Sequence, residues 1–342
     1  MSGAGFRPKV DRETMREFTQ VSGWRSLATC LLISGAVVAA AAVGGRLSGY
    51  WLALPAMLLI SGLQFHLMIL LHEASHGLLH PNRKVNDFVS DLFCAIPFGT
   101  LTRYYRVFHL AHHKSTGVRG EDPEVEMYEA MDYQFRTLPR WRLAGMLLAD
   151  LLFLNLFRYV TWMVKFTVAK GLKPTLRDLA LNLAFWGGLI TAAVLFGFWQ
   201  EVLLFWCLPY ATFTVFFAKL HGYGEHTGEA GPSEYERTWT HRFPWLVNFF
   251  IYPLNSGLHL EHHLFPRVPW YRIRAFRAAI LALPEHATRA EPVTVDGYFF
   301  GTKTIAAAML YEPRQPSEEQ TQPAPVISIS RSGELDLSAA AA

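Results

Sequence analysis

Long apolar runs alternate with polar stretches along this chain, and the length of each run decides what it can become. A helix that crosses a bilayer needs about 20 mostly apolar residues. Four runs qualify: 27–43, closed by Gly44-Gly45; 50–71, which leads into His72; 179–199; and 203–220. The last two are separated only by Gln200-Glu201-Val202 and read as a tight hairpin. A fifth run, 146–164, contains Asp150, Asn155 and Arg158, and a charge at a helix centre costs roughly 2.5–3.5 kcal/mol to insert. It reads as a helix lying in the interface, with Trp162 and Lys165 at the headgroup level. The pieces 88–101 and 245–254 are too short to span and read the same way. The pattern therefore predicts an all-α integral membrane protein, with four transmembrane helices in two hairpins and further interfacial helices.

Composition and charge sharpen this picture. The chain is 51% hydrophobic and only 17% charged, where soluble domains carry about 25% charged residues. Five basic residues precede the first run, Arg46 alone lies in the first hairpin loop, and the second has none. By the positive-inside rule both hairpin tips face out and both termini face the cytoplasm. A net charge of +3, with no basic stripe bearing aromatics, excludes nucleic acid as a partner. Cys30, Cys94 and Cys207 form no C-x-x-C pair, so neither an iron–sulfur site nor a disulfide framework is expected. Residues 1–25 are polar, and no signal peptide is expected. Residues 313–342 are rich in Pro, Ser, Gln and Glu and read as a disordered tail behind one membrane domain, 1–312.

The histidines carry the chemistry. Eight of the 14 fall in three five-residue windows: His72 and His76; His109, His112 and His113; His259, His262 and His263. A random scatter would place fewer than one there. Residues at i, i+3 and i+4 share one helix face, so each window aims two or three imidazoles at one point. Imidazole suits iron, zinc, copper and nickel. A single zinc ion takes three or four ligands, so eight fit two metals better. With four spans, all three windows fall on the same side of the membrane and can meet; a fifth span at 146–164 would separate the third window from the others.

The sequences His72-Glu-Ala-Ser-His76-Gly, His109-Leu-Ala-His112-His113-Lys and Asn255-Ser-Gly-Leu-His259-Leu-Glu-His262-His263-Leu-Phe-Pro resemble the three histidine boxes of the membrane fatty acid desaturase superfamily. That superfamily includes hydroxylases, ketolases and hydrocarbon oxygenases. The resemblance runs from about Trp51 to Trp270 and includes Gly120-Glu121-Asp122-Pro123. It implies a non-haem di-iron centre, two iron ions bound by eight or nine histidines, with O2 as co-substrate. The eight box histidines carry over as ligands, and His226, in Glu225-His226, resembles the further histidine the family supplies after the last span; His221 is the alternative. Asn255 matches an asparagine often placed beside the metal, with a helix cap as its ordinary reading. Glu73, Asp87, Asp91, Asp122, Glu124, Glu225 and Glu261 lie near the boxes, where a carboxylate can take the other ring N–H of a ligand histidine. Of these, Glu73, Asp122 and Glu261 are the main candidates. His66 reads as packing inside the bundle, and His80, outside the family motif, as no ligand. His241 and His286 lack partner spacing and read as facing solvent or the interface.

The resemblance further implies a lipid or hydrocarbon substrate and a separate electron donor, a ferredoxin, rubredoxin or similar protein. Lys114, Arg119, Arg267, Arg272 and Arg274 are candidates for its docking face. No fused cytochrome b5 is expected, and His259 stands where front-end desaturases generally carry glutamine. The box context most resembles bacterial desaturases, which implies a bacterial inner membrane and favours desaturation of an acyl chain over hydroxylation or ketolation. A haem or electron-transfer protein is the rival class, but adjacent pairs such as His112-His113 suit haem poorly. A metal transporter would carry its ligands near the midplane of the spans.

Overall fold

The computed structural model describes residues 6–131, 140–226, 231, 233–310, 328–329 and 335–336. The expected tail from residue 313 lies outside these, apart from two short strands, Ser328–Ile329 and Leu335–Asp336, which pair antiparallel.

The apolar runs become helices, and polar caps, glycines and prolines set their breaks. A short helix α1 (Arg12–Phe18) is capped by Asp11, whose side chain accepts from Thr14 N. Helices α2 (Gly23–Gly44) and α3 (Ala53–Ser75) pack against each other. Then follow α4 (Arg83–Ser90), α5 (Thr102–Ser115), α6 (Pro123–Ala130), α7 (Arg140–Leu151) and α8 (Leu154–Ala169). Helix α9 (Leu176–Leu195) and the 28-residue α10 (Trp199–His226) complete the set. Four helical stretches are long and apolar enough to cross a membrane, or five if α7 and α8 form one bent span. Helix α3 is the central one: 67% of its most apolar window is buried, against 11% for α9. Around the outer helices Trp24, Trp51, Leu176 and Phe196 are all exposed. An apolar surface on that scale belongs in lipid, so this is a membrane protein.

Three boundaries differ from the reading of the sequence. The break between the last two long helices falls at Gly197, which takes φ 70°, a conformation that favours glycine. Gln200 and Glu201 instead open α10, where a carboxylate suits the helix N-terminus. Helix α10 also runs on to His226. Within it Pro209 has no N–H to give, and the backbone widens into π turns on either side, at Leu203–Cys207 and Tyr210–Thr214.

The run 146–164 is two helices, not one, bent by 79° at Phe153, whose φ is 51°. Two of its polar residues are buried in the protein, where Asn155 Nδ2 donates to Asp150 Oδ1 at 3.0 Å across the bend, while Arg158 is exposed. The segment 88–101 also departs from an interfacial helix. Its residues Asp91–Ala95 and Ile96–Phe98 wedge between spans, where the indole N–H groups of Trp186 and Trp206 donate to Ile96 O and Pro97 O at 3.0 and 3.1 Å.

Two contacts define the ends of the bundle. Arg46, after α2, pairs with Glu201, at the start of α10, so the two tight connections meet at one end. At the other end Asp178, at the start of α9, meets Arg103 and Tyr104 of α5. Midway, Gln64 of α3 donates to Trp206 O and accepts from Thr214 of α10, satisfying a polar side chain inside the bundle.

The rest of the chain caps that second end. Helices α11 (Trp245–Phe250), α12 (His259–Leu264), α13 (Ile273–Ile280) and α14 (Pro284–Ala290) surround a buried core including Tyr223, Tyr252, Phe276 and Val295. A parallel pair, β1 (Thr240–His241) and β2 (Thr294–Val295), joins the two halves of this cap, with Thr240 opposite Thr294.

Candidate metal centre

Helix α3 ends on the first histidine window: His72 lies in its last turn and His76 is its C-cap. Helix α5 brings His109, His112 and His113, α10 ends with His226, and α12 carries His259, His262 and His263. Close packing helps α10 arrive. A Cβ on Gly222 would collide with Tyr128 Oη, and one on Gly224 with Tyr252 Oη. Glycine at both positions lets the tyrosines approach the helix just before His226.

The nine histidines fall into two groups, one of His72, His76, His109, His113 and His262, the other of His112, His226, His259 and His263. Within each group one side-chain nitrogen per residue lies within 4.8 Å of all the others. His113 Nε2 stands 3.0 Å from Nε2 of both His109 and His262. His263 Nε2 stands 3.0 Å from His259 Nε2 and 3.3 Å from His112 Nε2. The groups adjoin, with the His113 and His263 rings stacked at 4.2 Å.

This geometry suits a cation. A ring nitrogen carries at most one proton, so a nitrogen facing two others cannot be satisfied by both through hydrogen bonds. Ligands held at right angles by one ion, at bonds of about 2.1 Å, stand about 3.0 Å apart. No carboxylate joins either group among the described residues. Neighbouring imidazoles at this spacing also occupy the positions that a porphyrin's own nitrogens would take, which disfavours the haem reading.

The far nitrogens are held in turn. His112 Nδ1 lies 3.0 Å from Asp122 and 3.3 Å from Glu124, and His259 Nδ1 lies 2.8 Å from Glu225. His263 Nδ1 lies 3.2 Å from both Thr116 and Glu234, and His226 Nδ1 donates to Arg237 O at 2.7 Å. Each contact leaves Nε2 to point into the group. In the other group Glu73 lies 3.5 Å from His72 Nδ1 while accepting from Trp270 N.

Burial, reinforced by mutual repulsion, holds His76, His109, His113, His262 and His263 well below the ordinary histidine range. They are neutral, with lone pairs available. Burial also pushes His259 down to about 3, despite Glu225. His112 goes the other way: burial alone would lower it, but Glu124 and Asp122 outweigh burial and raise it to about 9. This end of the site therefore has a surplus of negative charge to set against a cation.

Several sequence candidates lie apart from the histidines. His221 Nε2 faces Glu225 at 2.8 Å and its Nδ1 donates to Ile251 O, so it joins neither group. Asn255 bonds Trp270 O and Arg274, and Glu261 bonds Thr240 and Arg277. Asp87 holds Arg106, and Asp91 takes Thr102 N and Oγ1 at the start of α5. His66 bonds Gly62 O in its own helix, and His80 accepts from Asn82 N.

Two expectations are corrected. His241 and His286 are buried, not solvent-facing. His241 bonds Gly257 O and Gly224 O and stacks on Tyr252, and His286 Nδ1 lies 2.6 Å from Tyr235 Oη. The cap folds back over both positions, which local spacing did not reveal. The contacts of Thr116 and Glu234 with His263, and of the Arg237 carbonyl with His226, were also missed. They come from the C-cap of α5, Thr116, and from the short 3-10 turn Glu234–Glu236 with its C-cap Arg237, none of which carries histidine spacing.

Residues 48–291 match the family model of the fatty acid desaturases, and the chain belongs to that family. It is an oxidoreductase of the membrane. Two characterised relatives are similar to it. Dihydrorhizobitoxine desaturase of Bradyrhizobium elkanii is 26% identical over 271 residues, 74% of each chain. Sphingolipid delta(4)-desaturase of Schizosaccharomyces pombe is 25% identical over 226 residues, 62% of this chain and 57% of that one.

Proposed function

We propose that this chain is an O2-dependent di-iron desaturase acting on a fatty acyl chain. The observation that carries the reading is the convergence of nine imidazoles into two adjoining groups. His72, His76, His109, His113 and His262 would hold one iron, and His112, His226, His259 and His263 the other. When bound, the pair supplies oxidising power from O2, with electrons from a separate donor, to take hydrogen from an unactivated C–H bond. Iron is favoured over zinc because the first group offers five ligands, more than tetrahedral zinc uses, and because the family implies it.

The protein's own part is positional. Asp122, Glu124, Glu225, Glu234 and the Arg237 carbonyl fix the ring orientations from behind, which also raises ligand basicity. Burial of the histidines keeps bulk water away. Both relatives are named as desaturases, which favours desaturation over hydroxylation or ketolation; sphingolipid and dihydrorhizobitoxine are their substrates by name, not this chain's. The basic N-terminus and basic-poor connections support a cytoplasmic histidine end, and the resemblance of the boxes to bacterial desaturases supports a bacterial inner membrane. There a ferredoxin or rubredoxin would meet Lys114 and Arg267, which are exposed, while Arg274 is turned to Asn255. Arg119 is already paired with Glu129.

The test is expression of wild type and His113→Ala with a compatible reductase under 18O2, followed by mass spectrometry of the lipids. A new double bond without label, formed by wild type alone, is expected. Incorporated 18O would make the enzyme an oxygenase, and no product in any lipid class would remove the acyl substrate.

A further inference from the structure

A cavity of about 530 Å³ opens beside the histidine cap, and none of the nine clustered histidines lines it. Its volume is that of a small-molecule site, which runs from about 300 to 1,000 Å³. The lining divides into two kinds of surface. Arg242, Arg274 and Arg277 supply cationic groups, while Trp245, Phe249 and Leu281 are apolar. Arg277 is engaged by Glu261, and Arg274 is bonded to the neutral side chain of Asn255. Among the described residues no carboxylate lines the cavity. Its positive charge therefore exceeds what the lining neutralises.

The wall has a second unusual feature. Leu254 and Asn255, adjacent in the lining, both have positive φ, 55° and 62°. Asparagine tolerates this conformation, but leucine rarely adopts it. Such strain persists only where the surrounding structure imposes it, and it gathers at ligand sites. Here the strained turn shapes the cavity and leads directly into α12, which carries His259, His262 and His263. The opposite wall includes His66 on α3, six residues before His72 and so about 9 Å along the helix from it. The cavity is thus lined by the helix that bears the first histidine window and by the turn, 253–258, that leads into the third.

We infer that this cavity binds the anionic head of an amphiphilic substrate, a carboxylate or a phosphate, with Arg242 and Arg274 as its counter-ions and Trp245, Phe249 and Leu281 against the first part of its chain. The inference rests on the lipid-oxidising reading above and narrows the substrate to acidic amphiphiles. A planar guanidinium can take either anion through two parallel hydrogen bonds. The free acid and the phospholipid are distinguished by experiment.

Equilibrium binding of radiolabelled stearate, stearyl alcohol, phosphatidylglycerol and phosphatidylcholine is measured on the purified iron-loaded protein. The proteins compared are wild type, the double variant Arg242→Gln/Arg274→Gln and the charge-preserving Arg242→Lys/Arg274→Lys. Either stearate or phosphatidylglycerol should bind about tenfold more weakly to the Gln variant, and the Lys variant should recover most of that loss. Loss for stearate identifies a free acid, and loss for phosphatidylglycerol a phospholipid. The neutral alcohol and phosphatidylcholine should be insensitive to either change. Equal binding of charged and neutral ligands, no binding of either anion, or Gln and wild-type proteins that bind alike would overturn the inference. Iron content, measured on the same samples, separates a folding defect from a binding defect. Because binding is read without turnover, failure of the desaturase assignment leaves this result standing, and the converse also holds.

Discussion

His221 and His226 lie five residues apart on one helix, yet only His226 turns a ring nitrogen toward other imidazoles, 3.0 Å from His259 Nε2. Replacing His226 by Ala should therefore lower bound iron toward one ion per chain. His221→Ala should leave iron content near wild type, because His221 is spent on Glu225 and Ile251. Elemental analysis of the two purified variants checks this, and the reverse pattern would move the ligand. His286 gives a prediction about stability. Burial, with Arg277 nearby, pushes it down to about 4 from an unfolded value of 6.5. Above pH 6.5 both states are neutral and the fold keeps its full stability. As pH falls from 6.5 toward 4 the unfolded chain takes the proton first, so about 1.4 kcal/mol is lost per pH unit. His286→Gln should flatten the dependence of the denaturation midpoint on pH in that window; an unchanged slope would mean His286 is not the group responsible. The histidines of the three windows were legible as clusters because their spacing is local, whereas His226 was suggested only by the family resemblance. Asp122, Glu124 and Glu225, named beside the boxes, do meet ligand-group rings, but Glu234 and the Arg237 carbonyl were not legible, because each reaches a histidine only after the chain has folded back on itself.

At the scale of elements, α5 matters most, since it brings three of the nine histidines. Its start is held by Asp91, which takes both Thr102 N and Thr102 Oγ1 at 2.8 and 2.6 Å. Asp91→Ala should cost about 1 kcal/mol, as loss of a helix cap does, and should quicken iron loss to a chelator. A thermal midpoint and chelation rate equal to wild type would show that α5 is positioned by packing alone. The four long apolar helices were readable from run length, as were the short lengths of 88–101 and 245–254. The 79° bend at Phe153 was not. Asp150, Asn155 and Arg158 argue against a straight span, but a sequence cannot say whether such groups meet water or one another. Here Asp150 and Asn155 meet each other. The wedge at Asp91–Ala95 was hidden for a similar reason: the indole N–H groups that satisfy the carbonyls just beyond it come from helices more than 80 residues away.

The molecule as a whole is a bundle with its tight connections at one end and its histidines at the other. That arrangement follows from chain order, because α3 and α10 both run from the Arg46–Glu201 end toward the cap and each finishes on a histidine. Helices α5 and α12 then need only close over the same end for two groups of imidazoles to form. The central claim is that these groups hold two iron ions through nitrogen alone. It is tested most directly by iron quantification combined with X-ray absorption on the purified 342-residue chain, reconstituted with ferrous iron under anaerobic conditions. The account predicts about two iron atoms per chain, with four to five protein nitrogens per iron on average, at about 2.1 Å. A single iron, a zinc preference that iron cannot displace, or a haem Soret band would contradict it.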